Sequence, residues 1–175
     1  MMRNILAALA LASIAAPVWA ALPVGSKAPD FTTTGALAGK PFKVHLKDQL
    51  KNGPVVLYFF PKAFTKGCTL EAHAFSDAAE QFRKLGARVI GMSRDDLPTL
   101  EKFSVEHCRN AFPVATATPS TAQAYDVGWA ERPNMTTRTS YVIATDGRIV
   151  MVHDDPDWSK HVEKTLAAVK ALKRK

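Results

Sequence analysis

The sequence predicts an α/β fold in which a mixed central sheet carries helices on both faces. Strand-like apolar runs alternate along the chain with segments of helical periodicity, which is typical of layered α/β domains. Residues 55–60 are apolar without interruption, as expected for a central strand that is covered on both sides. Near the end of the chain, two apolar runs flank Asp146-Gly147, a dipeptide favoured in two-residue hairpin turns, so part of the sheet should be antiparallel.

The first half of the domain should contain three strands and one long helix. Short strands are predicted over residues 31–34 and 41–46, around a glycine-containing turn, and a helical turn over 47–52 ends at Gly53-Pro54. A helix should then run over residues 67–85, with Gly86 as its stop. Its buried stripe recurs at helical spacing and comprises Cys68, Ala72, Phe75, Ala79, Phe82 and Leu85.

The second half continues the alternation and ends in a hairpin followed by a helix. Strands are predicted over residues 88–93, 112–117, 140–144 and 148–153, and helices over 97–108 and 119–125. Asp157 can cap the last helix. The buried stripe of that helix comprises Trp158, Val162, Leu166, Val169 and Leu172.

The first twenty residues differ in character from the rest of the 175-residue chain. Arg3 precedes a short apolar run, and small residues follow up to Ala20, which is typical of a secretory signal. The apolar run is shorter than the roughly 20 residues of a transmembrane helix, although an uncleaved anchor is the alternative. We therefore expect cleavage after Ala20, a single mature domain over residues 21–175, no further membrane segment, and a periplasmic or secreted protein.

The charge distribution bears on the class of partner. The formal net charge is +7, but basic residues are scattered apart from a small cluster at the C-terminus. Because no basic stripe is interleaved with aromatic residues, we do not expect nucleic acid to bind. A basic composition is explained more simply as a solubility feature.

The chain has two cysteines, Cys68 and Cys108. In an exported protein, such a pair can form a structural disulfide. The surroundings of Cys68 favour chemistry instead, because it follows an apolar strand and a short polar loop and lies in the first turn of a predicted helix. Unpaired backbone N–H groups and the helix dipole both favour a thiolate at such a position, and the thiolate is the nucleophilic form of cysteine.

The residues around Cys68 also carry a family resemblance. Pro61-x-x-x-Thr65-x-x-Cys68 resembles the active-site motif of peroxiredoxins, and Gly67-Cys68-Thr69-x-Glu71-Ala72 is similar to its version in the Q-type, or bacterioferritin-comigratory, subfamily. Residues 24–31, 55–61 and 138–143 resemble further family segments in the family's order. The resemblance spans nearly the whole mature chain and implies a thioredoxin-like fold and a thiol-dependent peroxidase.

The resemblance implies a role for each motif residue. Cys68 would be the peroxidatic nucleophile. The Thr65 hydroxyl would contact the thiolate or the bound peroxide, and Pro61 would shield the sulfur from water, although alone these residues would indicate only a helix N-cap and a turn. Arg138 would supply a cation beside the sulfur, and Glu71 would hold Arg138 by a charge-assisted bond, although each could alone be a solvated surface residue.

The chain departs from the subfamily at His73. Many Q-type members carry a resolving cysteine there, five residues after the first, whereas this chain has a histidine, which we expect at the surface. Five residues on a helix correspond to a rotation of about 140°, so Cys68 and His73 point apart and no metal site is expected. Cys108 remains as a possible resolving cysteine, one turn beyond the place where some Q-type members have theirs, at Ser104. It could instead be an inert buried thiol or half of a permanent bridge.

The leading hypothesis is therefore an exported thiol peroxidase without cofactor or metal. Cys68 would reduce hydrogen peroxide or an alkyl hydroperoxide, an internal disulfide with Cys108 would form next, and a thioredoxin-like or other thiol reductant would restore both thiols. We expect a monomer or weak dimer. The alternatives are a one-cysteine peroxidase resolved by an external thiol, an exported thioredoxin-like disulfide reductase, and a redox-inactive copper-handling relative. The absence of a C-x-x-C motif argues against the reductase, and the lack of a second ligating cysteine near Cys68 argues against copper handling.

Overall fold

A computed structural model describes residues 21–174, and the predicted signal segment lies outside these residues. One seven-stranded sheet forms the centre, with strand order β2-β1-β5-β4-β3-β6-β7. Its strands are β1 Thr32–Leu37, β2 Lys40–His45, β3 Val55–Phe59, β4 Arg88–Ser93, β5 Val114–Thr116, β6 Thr139–Ile143 and β7 Ile149–Asp154. The sheet is mixed, because β3, β4 and β5 are parallel neighbours whereas the remaining pairs are antiparallel.

Helices cover both faces of the sheet, which confirms the predicted layered architecture. They are α1 Leu46–Leu50, α2 Lys66–Lys84, α3 Leu97–Glu106, α4 Pro119–Ala124 and α5 His161–Lys173, the last preceded by a 3₁₀ turn, Trp158–Lys160. Helices α2, α3 and α5 contribute side chains to one apolar cluster, whereas α1 and α4 contribute to the other. Within residues 21–174, no helix is long and apolar enough to cross a membrane.

Strand β3 contributes to both apolar clusters, which explains its uninterrupted apolar sequence. Its side chains alternate between the faces because successive residues of a strand point in opposite directions. Val56 and Tyr58 pack under α2, whereas Val55, Leu57 and Phe59 join the cluster beneath α1 and α4. All five are fully buried. The segment that leads into the cysteine loop is thus held in the most enclosed part of the domain.

The first strand is longer than the predicted segment over residues 31–34. It continues through Gly35, where a Cβ atom would collide with the Val114 carbonyl of β5. Gly35 therefore permits the close approach of β5 and does not belong to the turn. The turn lies at Ala38-Gly39, where both residues have positive φ, as a tight hairpin requires.

Two further predictions, about the β6–β7 turn and the end of α3, are wrong in detail. The β6–β7 connection is not a two-residue Asp-Gly turn, because Asp146 keeps a negative φ and only Gly147 adopts a positive one, 81°. Gly147 N donates to Ala144 O, which forms a wider loop followed by a bulge in the β6–β7 pairing. Helix α3 ends at Glu106, two residues before the predicted end near residue 108, and the left-handed conformations of Arg109 and Asn110 prevent the helix from continuing beyond that point.

The burial of β3 gives a stability prediction. Replacing Leu57, which is fully buried, with alanine should lower the free energy of unfolding by about 3 kcal/mol, because a cavity remains in the core. Leu70 lies on α2 and is 37% exposed, so Leu70→Ala should change it by less than about 0.5 kcal/mol. Urea unfolding of both variants measures the difference, and equal losses would contradict the described packing.

Candidate active site

Cys68 lies just after the loop that connects strand β3 to helix α2. The loop 61–65 follows β3, and Cys68 is the third residue of α2, with only 1% of its surface exposed. The first backbone bond of the helix joins Thr69 N to Thr65 O, so the N–H groups before it belong to the unsatisfied helix end. The sulfur thus lies in a water-poor position where the helix dipole favours a negative charge.

Arg138 contacts this sulfur from the adjacent strand. Strand β6 pairs with β3 so that Thr139 lies opposite Phe59, which brings the preceding residue, Arg138, beside the end of β3. Arg138 Nη2 donates to Cys68 Sγ at 3.5 Å. Two further groups fix the guanidinium: Nη1 donates to Glu71 Oε2, and Nε donates to the Pro156 carbonyl at 2.9 Å. The structure therefore brings together Cys68, Glu71 and Arg138 as the sequence predicted.

A glycine makes this approach possible. A Cβ atom at Gly67 would lie 3.2 Å from Arg138 Nη2, a closer contact than ordinary van der Waals packing. A larger residue would therefore push the guanidinium away from the first turn of α2. The same hypothetical atom would lie 3.9 Å from Trp158 Cδ1, which places this indole beside the site.

Glu71 is completely enclosed and faces the guanidinium one helical turn after Cys68. Burial raises the pKa of Glu71 to about 8, and the charge and hydrogen bond of Arg138 offset part of that rise. Burial therefore favours the protonated form of this carboxyl group. A neutral Glu71 still accepts the Arg138 hydrogen bond, but it leaves the positive charge of Arg138 available to Cys68.

His161 was not identified from the sequence. It lies beside Oε1 of Glu71, whereas Arg138 contacts Oε2. Its Nδ1 is 3.7 Å from Glu71 Oε1 and 2.8 Å from Ser140 Oγ, and its Nε2 is 3.0 Å from the Asp155 carbonyl oxygen. Burial lowers the pKa of His161 to about 4, so the imidazole is neutral at pH 7. Its position at the start of α5 carries no local motif, and only tertiary packing brings it to Glu71.

Pro61 and Thr65 lie in the loop as predicted. Pro61 lines a pocket of about 350 Å³ together with Trp129, Thr137, Arg138, Asp154 and Pro156, so it forms part of the approach to the guanidinium. Thr65 occupies the N-cap position of α2, but its hydroxyl donates to the Lys62 carbonyl at 2.9 Å and makes no cap bond. The expected contact of this hydroxyl with the thiolate is therefore not made in this conformation.

Asp95 anchors the cysteine loop and was also not identified from the sequence. Its side chain is 1% exposed and accepts from Ala63 N and Ser93 Oγ, each at 2.8 Å. Lys62 Nζ lies 2.8 Å from its other oxygen. An acidic residue two positions after the end of a strand that runs parallel to β3 was the available signal, because parallel strands end at the same edge of a sheet.

His73, which we expected at the surface, is only partly exposed and contacts a second histidine. Nε2 of His73 lies 3.3 Å from Nδ1 of His107, just after α3. The partly exposed ring of Phe64, a loop residue with a positive φ of 65°, packs against His107 and Phe103. These contacts connect the cysteine loop and α2 to the end of α3.

Cys108 lies two residues beyond α3 rather than inside it. It is a free thiol like Cys68 and is fully buried in the same apolar cluster. Its carbonyl accepts a hydrogen bond from Ser76 Oγ of α2 at 2.9 Å, which ties its segment to the helix that begins at the active site. Burial raises the pKa of the Cys108 thiol, so it is a poor nucleophile in this conformation.

Comparisons with known proteins agree with this arrangement. Residues 24–152 match the AhpC/TSA family. The chain is 31% identical to Peroxiredoxin Bcp of Bacillus subtilis, over 88% of this chain and 99% of that protein. It is 29% identical to the chloroplastic Peroxiredoxin Q of Sedum lineare, over 89% and 82%. The crystal structure of Peroxidoxin BcpB from Mycobacterium tuberculosis superposes with a TM-score of 0.75 at 32% identity, covering 85% of this chain and 97% of that one.

The Arg138 contact gives a prediction about the reactivity of Cys68. Arg138→Ala should move the pH profile of Cys68 alkylation by iodoacetamide towards alkaline pH by about one unit, because it removes the cation that stabilises the thiolate. Arg83→Ala, at the exposed end of α2, is the matched control and should leave the profile in place. Mass spectrometry of the alkylated peptide gives both profiles, and coincident curves would show that Arg138 does not act on the sulfur.

Proposed function

The chain belongs to the AhpC/TSA family and is a thiol-dependent peroxidase, and we propose that Cys68 is the thiol that reacts with the peroxide. The contact between Arg138 Nη2 and Cys68 Sγ carries this assignment. Cys108 lies in apolar packing, whereas Cys68 lies at a helix N-terminus beside a guanidinium that two other groups, Glu71 and the Pro156 carbonyl, hold in place. Of the two thiols, only Cys68 has surroundings that favour a thiolate.

The first step of the proposed reaction oxidises Cys68. The thiolate attacks one peroxide oxygen, so that an S–O bond forms as the O–O bond breaks. The departing oxygen takes the electron pair and one proton and leaves as water or an alcohol, and Cys68 becomes a sulfenic acid. Arg138 can stabilise the charge that develops on the departing oxygen, because its guanidinium contacts the sulfur and the residue also lines the pocket beside Pro61.

Cys108 is our candidate for the resolving residue. Its thiol would condense with the sulfenic acid to form a Cys68–Cys108 disulfide and release water. A thioredoxin-like or other dithiol reductant would then reduce this disulfide and become oxidised itself. Bridged cysteines need Cα atoms within about 7 Å. Because both cysteines are buried, we expect the first turn of α2 to unwind so that Cys68 can reach Cys108. An end turn opens at low cost.

We also propose that the protein is exported. Residues 1–20 have the composition of a cleavable secretory signal, so the mature enzyme would work in the periplasm or outside the cell. The reductant would then be a thiol protein of the same compartment. Hydrogen peroxide and alkyl hydroperoxides are the proposed substrates, since a thiolate can attack the O–O bond that both contain.

Replacement of the nucleophile tests the assignment. Cys68→Ser should abolish peroxide reduction, because a serine hydroxyl does not ionise near neutral pH, while the circular dichroism spectrum stays unchanged. Peroxide consumption with a thiol reductant measures turnover, and Cys108→Ala serves as the matched single-thiol control that keeps the first oxidation. Turnover that persists in Cys68→Ser would refute Cys68 as the peroxidatic residue.

Removal of Cys108 tests the resolution step. Cys108→Ser should consume the first equivalent of peroxide, stop at sulfenic acid, over-oxidise at high peroxide and lose turnover with a dithiol protein reductant. The wild type should instead form an intramolecular disulfide, with a second, slower fluorescence change from Trp129 or Trp158. Cys108→Ala, which places no hydroxyl in the apolar core, controls for the effect of burying the serine hydroxyl of Cys108→Ser. If both variants cycle as fast as the wild type, an external thiol resolves Cys68.

The N-terminus of the exported protein tests the signal. When the chain is expressed with its own leader, the mature protein should begin at Ala21, because small residues precede the expected cut. N-terminal sequencing of the periplasmic fraction gives the answer. Ala20→Trp, which places a bulky side chain at the cut, should retain the leader, and a periplasmic wild-type product that keeps Met1 would contradict cleavage.

A further inference from the structure

We propose that His161 is a positioning residue of the peroxidase site, which acts through the second carboxyl oxygen of Glu71 to keep the charge of Arg138 directed at Cys68. This inference rests on the proposed role of Cys68. His161 does not touch the sulfur, and its effect would pass through Glu71 and then Arg138. The effect depends on the tautomer of the imidazole and on the hydrogen bonds available to Glu71.

Backbone contacts fix the tautomer of His161. The Asp155 carbonyl oxygen can only accept a hydrogen bond, so Nε2 of His161, 3.0 Å away, must carry a hydrogen and donate it. In a neutral imidazole, the other nitrogen then has a free lone pair. Nδ1 is therefore an acceptor, and the hydroxyl of Ser140, 2.8 Å away, donates to it.

Nδ1, the electronegative nitrogen of the neutral ring, lies beside the Glu71 carboxyl group. Oε2 of Glu71 accepts from Arg138, whereas Oε1 is buried and has no hydrogen-bond partner among residues 21–174. His161 Nδ1 lies 3.7 Å from Oε1. The partial negative charge of Nδ1 at that distance repels a carboxylate more than a neutral carboxylic acid, so His161 favours the protonated form of Glu71.

The charge balance of the site connects this proton to Cys68. A thiolate, a guanidinium and a neutral Glu71 together carry no net charge, whereas an ionised Glu71 would leave a net negative charge in a buried site, which is costly. Ionisation of Cys68 is therefore favoured while Glu71 is protonated. The raised pKa of Glu71 and the lowered pKa of His161 agree with a proton on the acid.

Other titratable groups surround Glu71 and His161. The His153 ring of β7 packs 4.5 Å from the His161 ring, and Lys164 of α5 contacts His153 at 3.1 Å. Asp155 and Asp157 lie in the segment between β7 and α5, and their charges partly oppose those of His153 and Arg138. On the Glu71 side, Tyr58 of β3 interacts electrostatically with Glu71 and with both thiols, and its buried hydroxyl, like Oε1, has no hydrogen-bond partner among residues 21–174. None of them supplies a hydrogen bond to Oε1.

His161→Phe tests the inference, because it keeps an aromatic ring and removes the lone pair. Glu71 should then ionise more readily and neutralise part of the charge of Arg138. We expect the pH profile of Cys68 alkylation to move to alkaline pH by about one unit, and the rate constant for oxidation by hydrogen peroxide at neutral pH to fall about tenfold. Reduction of the oxidised enzyme by a dithiol should keep its wild-type rate.

A second variant tests the sign of the effect without removing the histidine. Ser140→Ala removes the hydroxyl that competes for the lone pair, so Nδ1 should interact more strongly with the Glu71 proton. The alkylation profile should therefore move the opposite way, towards acid pH. His153→Phe is the matched control, because it changes the neighbouring buried ring but no contact of Glu71, and its profile should match the wild type.

The outcomes separate the inference from the proposed function. A lower melting temperature in His161→Phe with an unchanged alkylation profile would mean that His161 is only structural, and shifts of the same sign in His161→Phe and Ser140→Ala would equally overturn the inference. Both results would leave Cys68 as the peroxidatic residue. Peroxide turnover in Cys68→Ser, by contrast, would refute the proposed function itself.

Discussion

The site depends on one physical constraint, the burial of the Arg138 guanidinium against a thiol. Only 8% of this side chain is exposed, so its donors must find protein acceptors, because water cannot serve them. Glu71, the Pro156 carbonyl and Cys68 supply these acceptors, one for each guanidinium nitrogen. The planar group can satisfy all three only in one orientation, which aims a fixed positive charge at the sulfur.

The fold supplies these acceptors from distant parts of the chain. The β3–β6 register places Arg138 beside the end of β3, from which the cysteine loop departs, and Gly67 leaves room for the guanidinium at the start of α2. The Asp95 carboxylate, after β4, holds Ala63 N and so fixes the loop. Burial in both apolar clusters makes β3 a rigid support for this geometry, whereas the first turn of α2 remains the part that can open when Cys68 must meet Cys108.

Much of the fold and the centre of the site could be predicted from the sequence. The motif around Cys68 identified Pro61, Thr65 and Glu71, and the segment before β6 identified Arg138, because these residues lie in contiguous patterns. His161 and Asp95 could not be recognised as easily, because each acts through a tertiary contact and neither belongs to a local motif. The misplaced end of α3 has a similar cause: the helical periodicity continues to Cys108, but Arg109 and Asn110 adopt positive φ, which periodicity does not reveal.

A double-mutant cycle between Glu71 and Arg138 tests the central claim most directly. The rate constant for oxidation of Cys68 by hydrogen peroxide would be measured in Glu71→Ala, Arg138→Ala and the double variant. If Glu71 acts only by holding Arg138, the double variant should be no slower than Arg138→Ala alone, so the two effects should be strongly non-additive. Independent, additive losses would contradict the account, because they would mean that Glu71 and Arg138 act on Cys68 separately.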